Sequence, residues 1–304
     1  MTTVRGRLAN QLVRLLGIKQ RLIRLAEVDD DPAAFRHRLR KLRRADRRRP
    51  SWTVRRRWDI EPVDVSGFDL FVMSRQGSPG RRVLLYLHGG GYLFGPFWTE
   101  WGAMSRVADR SDSDFAMLLY PRAPEHDAEA ALGVAGAAYD SLADRYGAGN
   151  VLPIGTSAGG GLAIALTAVL RDNGRELPRC AVLLSPGVDM TLEQPVGHLE
   201  ASDVLLSTAH VRSAGRVYAG ALEPAHPRVS PLFGNLAGLP TMHVFVGAAE
   251  LLRPSIEEFA HRATESGSDV RLIVGEDQQH TWPLAPTPEG RHALEQLVDI
   301  VASC

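Results

Sequence analysis

Six short apolar runs alternate with helix-like stretches along this chain, and that alternation limits its fold more than any other feature. The runs are Val83–Leu87, Phe115–Leu119, Val151–Ile154, Cys180–Leu184, Met242–Val246 and Val270–Val274; helical spacing falls at about 99–110, 128–146, 158–172, 254–266 and 288–302. A strand covered on both faces reads as a continuous apolar run, so the pattern predicts a mostly parallel sheet flanked by helices. Trp52–Ile60 and Phe68–Met73, separated by a Ser66-Gly67 turn, add an antiparallel entry and bring the expected strands to eight. Functional residues of such a sheet belong at the carboxyl ends of its strands.

The first fifty residues read differently. Leu8, Leu12, Leu15, Leu16, Leu22, Ile23 and Leu25 recur at helical spacing among Arg and Lys, which describes a basic amphipathic helix. Asp31-Pro32 offers an N-cap followed by proline at the first helical position, opening a second helix that Pro50 stops. We therefore expect residues 1–50 to form a helical cap segment and 51–304 a catalytic domain. The alternation lapses into turn-rich sequence after Gly187, which suggests a cap insertion at about 187–226.

The formal charge is zero, but arginines crowd residues 36–57, so the remainder is net acidic. Such a basic arm is more often answered by the acidic body of its own protein than by a membrane surface or nucleic acid. We expect no nucleic acid partner and keep peripheral membrane contact through the N-terminal helix open. Cys180 and Cys304 are the only cysteines, which implies no disulfide framework. With no apolar run long enough for a signal peptide or a bilayer span, the expected location is cytoplasmic.

Gly155-Thr-Ser157-Ala-Gly159 follows an apolar run and opens a helix, the context that gives G-x-S-x-G its meaning. A serine hydroxyl needs a tight turn to expose it and a base to take its proton. The run lacks the Gly-Lys-Ser/Thr ending of a phosphate loop. His88-Gly-Gly-Gly91 ends an earlier run and frees the backbone to aim amides at an oxyanion; Gly89 and Gly90 are the expected donors, with Ala158 at the onset of the helix. Of ten histidines, His280 is best placed as base, in a loop just past the last predicted strand. In serine hydrolases built on such a sheet, the acid and then the histidine follow the serine. Glu250, beyond the strand Met242–Val246, is the expected acid; Asp277 is too close to His280 in sequence, and Asp269 lies at the wrong end of its strand.

The set His88-Gly-Gly-Gly-Tyr92, Tyr120-Pro-Arg-Ala-Pro-Glu-His126, Gly155-Thr-Ser-Ala-Gly-Gly160 and Ser230-Pro-Leu-Phe-Gly-Asn-Leu-Ala-Gly-Leu-Pro240 resembles the hormone-sensitive-lipase-like esterases. The resemblance runs from about residue 80 to the end and implies an α/β-hydrolase fold with a helical cap. It also implies a serine carboxylesterase acting on short- to medium-chain esters through an acyl-serine, without metal or organic cofactor. Three departures stand out: Pro121-Arg122 in place of Arg-Leu, Glu250 where Asp is usual, and Thr281-Trp282 after the histidine. Tyr92, Phe94, Tyr218 and Trp282 are candidate pocket residues. The alternatives are a lactone or specialised-metabolite acyl hydrolase with the same triad, and a non-catalytic ligand-binding homologue. The expected partner is a small-molecule ester, with a homodimer also considered.

Overall fold

The computed structural model describes residues 3–76 and 80–304. Its sheet has eight strands: β1 (Trp58–Val65), β2 (Phe68–Arg75), β3 (Val83–Leu87), β4 (Asp114–Leu118), β5 (Val151–Thr156), β6 (Cys180–Leu184), β7 (Thr241–Gly247) and β8 (Val270–Gly275). The spatial order is β1-β2-β4-β3-β5-β6-β7-β8. β1 and β2 pair antiparallel, as do β2 and β4; every later pairing is parallel. β3 through β6 are buried along their whole length, which is why they appear in the sequence as unbroken apolar runs.

Successive side chains of each strand feed two cores. Leu85 and Leu87 join one core with α6 (Ala128–Tyr146), α7 (Ala158–Asp172) and α10 (Arg253–Glu265). Leu84 and Tyr86 join the other with α5 (Trp98–Arg110) and α11 (Pro288–Ser303). The segment between β6 and β7 holds two further helices, α8 (Leu199–Ser202) and α9 (Thr208–Ala219).

Three expectations need correction. The single N-terminal helix is two, α1 (Val4–Leu15) and α2 (Ile18–Ala26), because Gly17 takes φ +61° and breaks the ladder. Trp52–Arg55 forms a helical turn, α4, and the strand starts only at Trp58; the aromatic and β-branched residues there mimic a strand. Cys180 and Cys304 form a disulfide, which ties the end of α11 to the start of β6. No pattern in the chain signals contact between residues 124 positions apart.

The helix expected at Pro32 is α3 (Pro32–Leu42), with Asp31 accepting from the N–H groups of Ala33 and Ala34. α2 packs on α9, and Leu25, Phe35 and Leu39 are buried in the same core as Phe94. Ion pairs of both polarities join the arm to the body: Arg43 of the arm pairs with Glu125 at 2.8 Å, and Asp46 of the arm takes Arg122 at 2.5 Å. Arg122, one of the departures from the family pattern, thus fastens the arm against Gly95, four residues past the glycine turn.

Candidate active site

Ser157 sits between the end of β5 and the first residue of α7 with φ 54° and ψ −119°, a backbone conformation that is costly for any L-residue. The turn persists because its surroundings fix it. The Ser157 N–H donates to Leu184 O at 2.8 Å, and its carbonyl accepts from the N–H groups of Gly160, Gly161 and Gly187. A Cβ at Gly155 would collide with the backbone of Gly159, and one at Gly159 with the carbonyl of Leu87, so the motif glycines are required by close approach.

His280, in the loop after β8, places Nε2 2.9 Å from Ser157 Oγ. Its other nitrogen faces Glu250: Nδ1 to Oε1 is 3.6 Å, and both residues are buried. That distance exceeds a hydrogen bond, yet neither atom has a hydrogen-bond partner among the described residues, so each is left facing the other. The second carboxylate oxygen is anchored, accepting from Ser185 Oγ–H at 2.7 Å and the Gly247 N–H at 2.9 Å. Ser185 in turn accepts from the Thr281 N–H at 3.0 Å, joining the acid loop to the histidine loop. Sequence reasoning missed Ser185; its place at the carboxyl end of β6 was the available signal.

The glycine turn after β3 differs from expectation at Gly89. Its N–H donates to Glu100 Oε1 at 2.8 Å, so Gly89 is corrected as an oxyanion donor: that hydrogen is already spent. Gly90, with φ +114°, and Gly91, with φ +58°, make no such bond among the described residues, and neither does the Ala158 N–H at the start of α7. Glu100, missed in the sequence because it lies in the first turn of α5, also accepts from the Phe97 N–H at 2.6 Å and Tyr86 Oη–H at 2.9 Å. Tyr86 Oη is 2.7 Å from Thr156 Oγ1, next to the nucleophile candidate. Burial raises the Glu100 carboxyl above its usual range, against the pull of three donors. One buried carboxylate therefore bridges both turns of the site.

Against this turn lies α9. Tyr92 and Tyr218 stack with ring centres 3.6 Å apart, and a Cβ on Gly91 would be 3.5 Å from His210 Nε2. Burial draws His210 down to about 4, which keeps it neutral near pH 7. His88 has its ring stacked on Tyr120 and its Nδ1 2.7 Å from Gly89 O; burial, opposed by that bond and aided by Arg122, draws it down to about 3. Of the four pocket candidates, Tyr92, Phe94 and Tyr218 share one core. Trp282 is corrected: it packs beside Phe245 in the opposite core and borders a separate hollow with Glu276, Glu289 and His292.

A strained serine after a parallel strand, with a histidine on its hydroxyl and free amides nearby, belongs to a recognisable group of proteins, and comparison agrees. A family profile described as the α/β hydrolase fold matches residues 84–284. This chain belongs to the α/β-hydrolase family. An acetyl-hydrolase of Streptomyces hygroscopicus is 36% identical over 221 residues, 70% of this chain and 73% of that protein. Among solved α/β-hydrolases, a hormone-sensitive lipase from a metagenome library superposes with TM-score 0.82 at 25% identity, covering 100% of this chain and 99% of that one. An esterase of the bacterial hormone-sensitive lipase family gives TM-score 0.78 at 29% identity, covering 93% and 97%. The α/β-hydrolase described here is a hormone-sensitive-lipase-like esterase.

Proposed function

We propose that this chain is a carboxylic ester hydrolase whose nucleophile is Ser157, with His280 as base and Glu250 orienting and neutralising the imidazole. The observation that carries the assignment is the 2.9 Å approach of His280 Nε2 to a hydroxyl held on a positive-φ turn. Ser157 Oγ bonds to the ester carbonyl carbon while its proton passes to Nε2. The carbonyl oxygen, now an anion, takes hydrogen bonds from the Gly90, Gly91 and Ala158 N–H groups. The carbon–alkoxy bond then breaks, the imidazolium gives its proton to the leaving alcohol, and an acyl-serine remains. Water, deprotonated by the same nitrogen, attacks that carbonyl, and the acid departs as Ser157 regains its proton. Closure on substrate is expected to shorten the 3.6 Å gap between Glu250 and His280, as charge develops on the ring.

Short- to medium-chain acyl groups are the proposed substrates, in keeping with the acetyl-hydrolase and esterase names of its relatives. The segments 1–50 and 187–226 are proposed as the cap, its packed pair being α2 and α9, of which α9 brings His210 and Tyr218 to the glycine turn; α1 lies outside that pair, against α2 and α11. No helix among the described residues is long and apolar enough to cross a membrane. Peripheral contact with a lipid surface is part of the proposal and is argued below; pairing with a second copy would be read from the mass in solution. A phosphonylating p-nitrophenyl ester tests the nucleophile. Its adduct is expected on the peptide containing Ser157 and to be absent after His280→Ala at matched time, whereas an adduct on another residue overturns the assignment.

A further inference from the structure

Helix α1 presents the opposite of what a cap helix should present. Its packed side, toward α2 and α11, offers little apolar surface: Gly6 is buried, and Ala9, Asn10 and Val13 are half-buried. Its apolar side faces water, with Val4 at 64%, Leu8 at 58%, Leu12 at 57%, Leu15 at 84% and Leu16 at 51% exposure. At 3.6 residues per turn, Val4, Leu8, Leu12 and Leu15 fall within an arc of about 80°, roughly opposite the packed side. Exposed Arg5 borders that arc on one edge, and exposed Arg7 and Arg14 border the other. From residue 3 to residue 26 the chain has cations at Arg5, Arg7, Arg14, Lys19, Arg21 and Arg24 and no acid.

Packing on the catalytic body accounts for the apolar residues of α2 and α3, since Leu25, Phe35 and Leu39 are buried there. It does not account for α1. An exposed leucine stripe edged by arginines is the layout of a helix that lies in the plane of a bilayer, its apolar side among the acyl chains and its cations at anionic headgroups. A second copy docked through the same face would bring two sets of arginines together with no acid between residues 3 and 26 to answer them, and nucleic acid would leave the leucines unanswered.

We propose that α1 docks this hydrolase on an anionic lipid surface, where its substrates are esters dissolved in or adsorbed to that surface. Docking itself stands apart from the ester-hydrolase reading, because it is measured without catalysis; the substrate clause rests on that reading.

The test uses the full chain and vesicle flotation, with phosphatidylcholine alone and phosphatidylcholine mixed with phosphatidylglycerol. The parent is expected to float with the mixed vesicles and to be released at about 1 M salt, where charge attraction is screened to about 3 Å. The triple variant Leu8→Glu, Leu12→Glu, Leu15→Glu is expected to lose about a hundredfold in partitioning, the worth of three leucines leaving water partway. Replacing Arg5, Arg7 and Arg14 by Gln is expected to cost a similar factor on mixed vesicles only. Rates on a water-soluble p-nitrophenyl ester should match the parent in both variants, which shows that they fold. Equal flotation of parent and triple variant overturns the proposal, as does equal binding to neutral and anionic vesicles. A parent dimer that the triple variant dissociates, without vesicle binding by the parent, overturns it in favour of a second copy.

Discussion

Removing the Glu100 carboxylate should damage both the stability and the rate of this protein, although Glu100 is placed to touch no substrate. The carboxylate is almost fully buried and accepts from the Gly89 N–H, the Phe97 N–H and Tyr86 Oη–H at 2.8, 2.6 and 2.9 Å. Every partner donates, so Glu100→Gln replaces an acceptor with a donor and faces at least one of those hydrogens with an N–H group. A hydrogen bond to a charged group is worth about 1.5–3 kcal/mol, and an orphaned buried donor costs a comparable amount, so a loss of about 2–4 kcal/mol is expected for Gln. Glu100→Ala leaves three donors unanswered and should cost more. The kinetic effect follows from the Gly89 tether. Once released, the turn no longer fixes Gly90 and Gly91, and loss of one oxyanion donor typically costs about 10² to 10³ in kcat. For Gln, which retains part of the network, we expect a fall in kcat of about tenfold to a hundredfold with KM within about threefold of the parent. The readouts are a urea midpoint and initial rates on p-nitrophenyl acetate. A folded Gln variant with the kcat of the parent would refute the argument; so would one whose whole defect lies in KM.

Other consequences are equally open to measurement. The disulfide closes a loop spanning 124 positions, for which chain entropy predicts about 5 kcal/mol; Cys304→Ser or reduction should lower the denaturation midpoint accordingly, and an unchanged midpoint would contradict the bond's role. His210 drops from 6.5 to about 4 on folding, so the unfolded chain takes up a proton in that window that the folded chain refuses. Its contribution is present in full above pH 6.5 and lost as the pH falls toward 4, by about 3 kcal/mol; His210→Gln should flatten that part of the profile, and parallel curves would contradict the assignment. Gly159→Ala sets a Cβ against the Leu87 carbonyl, backbone that cannot yield, so a folded and fully active variant would refute the close-approach argument.

What the sequence revealed divides along physical lines. β3 to β6 were readable because burial on both faces leaves a strand almost entirely apolar, with polar residues only at ends such as Asp114 and Thr156, and the Ser157 turn because its flanking glycines stand in one short run. Features made by distant segments were not readable. Nothing beside Gly89 indicates that its N–H is taken by a residue of α5, and nothing near Cys180 points to the last residue of the chain. Trp282 looked like a pocket residue from its nearness to His280, but the 3₁₀ turn it opens sends the indole into the core shared with Phe245 and α11. The stretch Trp52–Arg55 failed for a third reason: its residues favour strands, and only the pairing of β1 with β2, whose register begins at Trp58, decides where the strand starts.

The central claim is that Ser157, His280 and Glu250 act as one unit on esters. The most direct measurement is the initial rate on p-nitrophenyl esters of rising acyl length for the parent and for Ser157→Ala, His280→Ala and Glu250→Ala. The account predicts a parent that prefers short acyl groups, losses of about 10⁴ or more for the serine and histidine variants, and a loss of about 10² to 10⁴ for the glutamate variant. A Ser157→Ala protein that still turns over at the rate of the parent would contradict it.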